Sequence, residues 1–312
     1  MKPSELVQTL LDSGFIPSIE VEQSSYRKQL WSYKPYSALW EPIDPDELQG
    51  MVYRATEKYA AVHPELPLPG SQTSYFVRQG AAFLRTIVPK TGPFDRRTDL
   101  VPLADRKVLD LKTKTVVERT QKHRFTYSLP VRHHPEADST EIKKFLQEIF
   151  SDRPEEQKRL RELLLGLLED RLPKKRLHFW TVYPNGGSRS AGASTLFCLI
   201  LKTFGNLVFK DQLGPDGRLL VLDHPRHLYP QVDLKQCRMV LADCDELPKK
   251  LAPPSIFQFI RDYSPHSPEE GIELTAKFAR KPVEGELKAD PSMFEKICTE
   301  ENKSAFLNWI LQ

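Results

Sequence analysis

The sequence predicts an α/β fold, a three-layer core preceded by a mixed α+β domain. Three observations carry that reading. An apolar run from Leu177 to Tyr183 enters a glycine- and serine-rich loop, and an apolar helix from Ser194 to about Phe204 follows. Upstream, two segments place apolar residues at helical spacing. Upstream of those, residues 100–129 read as short strands separated by polar turns. The 312 residues suffice for two domains, and 39% hydrophobic with 10% aromatic content permits a core in each.

The elements follow in order. Pro3 to Asp12 reads as a short helix with Leu6, Leu10 and Leu11 on one face. Gln29 to Trp40 is aromatic-rich and extended. Asp44-Pro45-Asp46-Glu47 is a helix start, with an acidic cap, a first-turn proline and carboxylates near the positive end of the dipole. That helix is expected to reach about Ala61, and another spans Thr73 to Val88 until Gly92-Pro93 breaks it. Val108–Leu111, Val116-Val117 and Phe125–Pro130 are the short strands. Arg132–Asp138 is polar and reads as a linker. Ile142, Phe145, Leu146 and Ile149 keep the i, i+3, i+4, i+7 spacing. Pro154 opens a helix striped by Leu160, Leu163, Leu164, Leu167 and Leu168, too short for a coiled coil and therefore core. Arg218–Leu222 and Cys237–Ala242 read as buried strands, and a helix from Thr299 to Leu311 closes the chain. The expected domains are 1–137, a helical linker or lid at 138–172, the core at 173–285 and a C-terminal helix at 286–312.

Composition excludes some classes. No run approaches 18 apolar residues, so no membrane-spanning helix is expected, and the first residues lack a signal-peptide pattern. A cytoplasmic protein follows as the expectation. Four cysteines, Cys198, Cys237, Cys244 and Cys298, form no C-x-x-C pair, which argues for reduced thiols and against a metal cluster. A net charge of +3 neither repels nor demands nucleic acid. The 26 prolines are dispersed, giving short elements and stiff connections rather than low complexity.

The loop carries the chemistry. From Gly187 through Gly192 to Ser194 it follows the spacing G-x-x-x-x-G-K-[ST], except that Ala193 stands where lysine is expected. Backbone N–H groups around Asn185, Gly186, Gly187 and Gly192 can cradle phosphate at a helix N-terminus. Ser194, with Thr195 beside it, takes the magnesium-ligand position. Ala193 lacks the ammonium that neutralises β and γ phosphates. Arg189 lies inside the loop and is either a phosphate contact or a solvated side chain.

The order of features resembles superfamily 3 helicases of the poxvirus and phage/plasmid primase–helicase type, with their N-terminal domain. Three stretches carry the resemblance: Leu103 to Phe150, with its run LDLKTKTVVERTQKHRFTYSLP; Lys158 to Phe204, a leucine-rich helix leading into the strand and loop; and Asp290 to Leu311, DPSMFEKICTEENKSAFLNWIL. Together they cover a little over a third of the chain. The resemblance implies an AAA+-like ATPase that uses ATP and Mg2+. It would act as a homo-oligomeric ring, or in a hetero-assembly with replication proteins, on single-stranded or forked DNA. Residues 1–137 would be the helicase-associated domain. Family members are usually longer and often carry a primase, and this sequence has no such region.

The family's acidic motif has two alignments. Met239 to Glu246 is a strand ending in acids, which makes Asp243 a magnesium-side carboxylate and Asp245 or Glu246 the water-orienting one. On the other alignment Leu220–Asp223 takes that role, with His224 in place of the second acid, and Asp245–Pro248 resembles the later sensor. The bland reading is a strand followed by a solvated acidic turn. No clear sensor asparagine or arginine finger follows, although Arg261 and Arg280 are placed for the latter. Loss of lysine, sensor and finger together favours natural degeneration over one engineered change. His224-Pro225-Arg226-His227 lacks metal-ligand spacing. Lys174-Lys175-Arg176, Lys249-Lys250 and Lys122-His123-Arg124 are basic clusters, either phosphate contacts or solvated surface. The expected function is a helicase-like replication protein of mobile-element descent that binds nucleic acid with an impaired or lost ATPase. Two alternatives stand beside it: an active ATP-dependent helicase with an engineered or compensated loop, and a non-catalytic scaffold or regulator of another helicase.

Overall fold

The structure, a computed structural model, describes residues 2–16, 19–22, 30–64, 73–87, 90–91, 94–95, 97–151, 153–171, 176–181, 192–205, 208–210, 239–242, 257–262, 271–276, 278–279 and 282–312. They belong to two compact units. The first comprises 1–97 and 119–127, the second 98–118 and 128–312.

The first unit holds α1 (Pro3–Asp12), β1 (Ile19–Glu22), β2 (Leu30–Lys34), β3 (Leu39–Ile43), α2 (Pro45–Val62), α3 (Thr73–Ile87) and β4 (Lys90–Thr91). Asp44 caps α2 by accepting the Glu47 N–H at 2.7 Å, with Pro45 in the first turn. The sheet order is β3-β2-β1-β4, antiparallel except for the parallel β1–β4 pair. Strand alternation sends Leu30 and its partner Ile43 into the helix-covered core with Leu6, Leu10, Leu48, Val52 and Leu84. Trp31 and Trp40 pack together with Phe94, which lies 4.9 Å from the first ring and 5.4 Å from the second.

Residues 119–127 close that aromatic cluster. The Trp40 N–H donates to Phe125 O at 2.8 Å, and its indole donates to Gln121 O at 3.2 Å. Thr126 N–H and hydroxyl both donate to the Asp95 carboxylate. Phe125 is buried, yet Phe125–Pro130 forms no strand. Its backbone donors and acceptors serve β3, Asp95 and, through Leu129, Pro102 instead of a ladder.

The second unit opens with a three-stranded antiparallel sheet, β5 (Leu100–Pro102), β6 (Lys107–Asp110) and β7 (Val116–Glu118). Then come α4 (Thr140–Phe150), α5 (Pro154–Leu168), β8 (Arg176–Thr181), α6 (Ala193–Phe204), β9 (Val208–Lys210), β10 (Met239–Ala242), β11 (Phe257–Asp262) and β12 (Gly271–Leu274). Strands β8 to β12 form one parallel sheet in the order β12-β8-β11-β10-β9. Parallel sheets need crossovers, which the sequence supplies between β8 and β9 as α6. The helix is buried nearly all round, through Leu196, Phe197, Leu199, Ile200 and Phe204. A small parallel pair, β13 (Phe278–Ala279) with β14 (Leu287–Lys288), precedes α7 (Met293–Ile297) and α8 (Glu300–Ile310).

Helix α8 is a core element rather than a tail. Phe306 and Trp309 stack at 5.6 Å, and Lys303, only 7% exposed, donates to Pro130 O at 3.0 Å and to Glu300. The polar stretch around His134 is hydrogen-bonded to it through Ser304 and Asn308. Gly205 ends α6 at φ 54°, where a Cβ would stand 2.7 Å from Pro130 Cδ, so both the turn and the approach require glycine. Among the described residues no helix is long and apolar enough to cross a membrane. Cys198 is buried and Cys298 half-buried, neither is in a disulfide, and burial pushes the Cys298 thiol up to about 11. Cys237 and Cys244 lie outside the described residues.

Asp290 organises the entry to α7. It accepts from Lys296 Nζ at 2.6 Å and from the Ser292 hydroxyl and N–H at 2.6 and 2.9 Å, which together hold its carboxyl down at about 2. A carboxyl depressed in the folded state stabilises the fold above its unfolded value near 3.8 and loses that contribution as pH falls toward 2. Asp290→Asn should therefore flatten the stability profile between pH ~4 and ~2, read from urea midpoints across that range. An unchanged profile would contradict the assignment.

Candidate functional site

Because β8 to β12 are parallel, their ends at Thr181, Lys210, Ala242, Asp262 and Leu274 share one edge of the sheet. Ligands of open parallel sheets bind beyond that edge. Helix α6 starts there, and the Gly192 carbonyl accepts its first backbone bond from Leu196 at 3.0 Å.

Gly192 is the pivot. It is buried at φ 80°, and a Cβ would come within 2.6 Å of Ile149 Cγ2 and 3.5 Å of Phe278. Two independent constraints thus exclude a side chain: a left-handed backbone and the close approach of α4. The sequence marks this glycine through the loop spacing but gives no sign that Ile149, far upstream in the chain, forms the opposing wall. Ile149 O also accepts from Thr275 N and Ala276 N at 3.1 and 3.3 Å, which joins the end of α4 to the end of β12.

The other expected site residues divide into two groups. Ala193 is the first residue of α6 and is 3% exposed, Ser194 is exposed and Thr195 is half-buried. With Gly192, these three stand together at the helix start. Arg176 begins β8, paired in register with Gln258. Asn185, Gly186, Gly187, Arg189, Asp243, Asp245, Glu246, Lys174, Lys175, Lys249 and Lys250 lie outside the described residues, as does the alternative strand Leu220–Asp223. Along the chain, Asp243 directly follows the end of β10. Of the finger positions, Arg261 lies in β11, paired with Phe179, and Arg280 is outside the described residues.

The described part of the site fits phosphate incompletely. It supplies a helix N-terminus and the Ser194 hydroxyl, whereas the lysine position carries a methyl group. Among the described residues no group of three or more His, Cys, Asp or Glu is placed to hold a metal ion. Sequence reasoning missed Thr275. It follows Leu274, the register partner of Thr181, so it stands at the same edge beside β8. Its Oγ1 is buried with no hydrogen-bond partner. An unpaired buried hydroxyl costs about 1–3 kcal/mol. Thr275→Val keeps the shape and removes that cost, so the variant should be as stable as the parent or up to ~1 kcal/mol more stable by urea denaturation. A clear loss of stability would show that the hydroxyl is bonded.

The comparisons bear on the fold. No family model and no curated protein matches the chain. Solved structures do, among them two at 12% identity: the apo structure of the NrS-1 C terminal region (305–718), TM-score 0.50, covering 99% of this chain and 69% of that one, and its A form apo structure, TM-score 0.51, covering 99% and 68%. The chain is therefore similar in fold to the C terminal region of NrS-1 over almost its whole length.

Proposed function

We propose that this chain is a superfamily 3 helicase-like protein of virus, phage or plasmid descent that binds single-stranded or forked DNA and whose ATPase is impaired or lost. One observation carries the reading. A strand–loop–helix unit with phosphate-loop spacing sits inside a five-stranded parallel sheet, and its helix begins with buried Ala193 where a cation is needed. The order β12-β8-β11-β10-β9 supports it, because β8, β11 and β10 are adjacent and parallel and end at the one edge where ligands of open parallel sheets bind. Full-length similarity in fold to the C terminal region of NrS-1 is consistent with one ancestral architecture.

On this reading Gly192 and the residues before it hold phosphate by their backbone, Ser194 and Asp243 are the magnesium-side residues, and Asp245 or Glu246 orients water. Bound ATP would supply the energy for movement along DNA. What the chain lacks is charge. A P-loop lysine neutralises the terminal phosphates in a water-poor site, and one lost electrostatic contact of this kind costs about 100- to 1,000-fold in rate. Lys174, Lys175, Arg176, Lys249 and Lys250 are proposed DNA contacts. A homo-oligomeric ring or an assembly with an active relative is the proposed setting.

Calorimetry with Mg-ATP tests the first half. The unaltered chain should bind weakly, and Ala193→Lys should bind at least about tenfold more tightly, a gain of ~1.4 kcal/mol. Because Ala193 is buried, the variant's thermal midpoint is compared with the parent's to establish folding. Steady ATP turnover by the unaltered chain would overturn the impaired-ATPase reading. Salt-sensitive binding of single-stranded DNA tests the second half, and no binding at low ionic strength would remove the replication role.

A further inference from the structure

The first unit carries a basic and aromatic surface that the phosphate-loop reading does not use. Three of its residues come from two loops tied together. The turn between β2 and β3 bears Tyr36, a residue 72% exposed. Segment 119–124 bears Lys122, exposed, and His123, half-buried on the 3-10 turn Gln121–His123. Arg119 joins the two loops: its guanidinium, on a residue only 6% exposed, donates to Ser37 O at 2.7 Å. The fourth, Arg97, is exposed. We propose that the surface formed by Tyr36, Arg97, Lys122 and His123 binds single-stranded nucleic acid, with the Tyr36 ring stacking on a base and the cationic groups contacting backbone phosphates. The inference rests on the reading that the chain binds nucleic acid and names a place for it.

Local chemistry supports that assignment. His123 Nδ1 accepts the Thr120 N–H at 2.9 Å, which leaves Nε2 as a donor. Burial pushes the imidazole below its ordinary value, and the guanidiniums of Arg97 and Arg119 act in the same direction, so positive charge converges on this ring. Among the described residues, the carboxylates of Asp95 and Glu41 are engaged: Asp95 accepts from Thr126, and Glu41 accepts from the Tyr36 hydroxyl at 3.3 Å. The second bond fixes the tyrosine by its edge and leaves the face open. Arg124 does not join the surface charge, since its guanidinium lies 4.5 Å over the Phe94 ring. An exposed ring beside phosphate-binding cations is the combination that single strands use, because every base offers a π-face once unstacked. A duplex offers phosphates but no free base face to this tyrosine.

The test uses the full chain and a fluorescein-labelled oligothymidylate of about 16 nucleotides, followed by anisotropy over a salt series. Tyr36→Ala should weaken binding about tenfold at every salt concentration, while Tyr36→Phe, which keeps the ring, should bind like the parent. The pair Arg97→Ala and Lys122→Ala should lower the slope of log affinity against log salt by about 1.4, two single-strand phosphate contacts at about 0.7 each. The three substituted positions, Tyr36, Arg97 and Lys122, are exposed, and thermal midpoints within error of the parent confirm folding. Parent-like binding by both the alanine variants overturns the inference while leaving nucleic-acid binding in place. No binding by the parent overturns both. Equal competition by an acidic polypeptide, with indifference to Tyr36→Ala, assigns the surface to a protein partner and also overturns it.

Discussion

The contact between Gly192 and Ile149 sets the geometry of the parallel-sheet unit. A left-handed turn with no side chain lets α4 come within van der Waals reach of the chain as it enters α6. From that point α6 is buried on nearly every side, so it has no freedom to shift without opening the core beneath α7 and α8. The end of α4 is also tied to the residues after β12 by two backbone bonds to Ile149 O. One close approach therefore couples a helix outside the sheet, the helix that crosses over it and the strand beside β8.

That coupling bears on how a phosphate-loop shape outlasts its lysine. The glycine is required by packing, independent of any ligand, whereas nothing in the fold requires a lysine at the next position. Ala193 fits the buried start of the helix without cost. Selection for stability alone would keep Gly192, the apolar face of α6 and the strand before it. Charge at position 193 would be kept only by selection for catalysis. The two kinds of residue separate along this short stretch.

Helices were legible because their signals are local. Pro45 behind Asp44, the Ile142–Ile149 spacing and the leucine stripe after Pro154 each fix an element within a few neighbouring residues, and α2, α4 and α5 lie where those signals put them. Strand β8 and helix α6 were legible together through the apolar–glycine–apolar pattern. The β11 strand was not: its FQFIRD segment sits among prolines, and its identity comes from pairing with β8 and β10, far away in sequence. Phe125–Pro130 has strand composition but spends its hydrogen bonds on Trp40 and Asp95, a tertiary demand no local pattern displays. At the site, spacing identified Gly192 to Thr195, while Thr275 became visible only through the register of β12 with β8, and Ile149 only through its approach to Gly192.

The passage of 119–127 through the first unit has a consequence for biogenesis. The indole of Trp40 waits for Gln121 and its backbone N–H for Phe125, both about eighty residues downstream. A ribosome that has released the first 97 residues has released three helices and a four-stranded sheet with their aromatic underside still open to water. Closure comes only after β5, β6 and β7, which belong to the other unit, have emerged. No single cut of the polypeptide parts the two units cleanly, so each inherits a folding history from the other, and a gene fragment ending at residue 97 would leave an aromatic face uncovered.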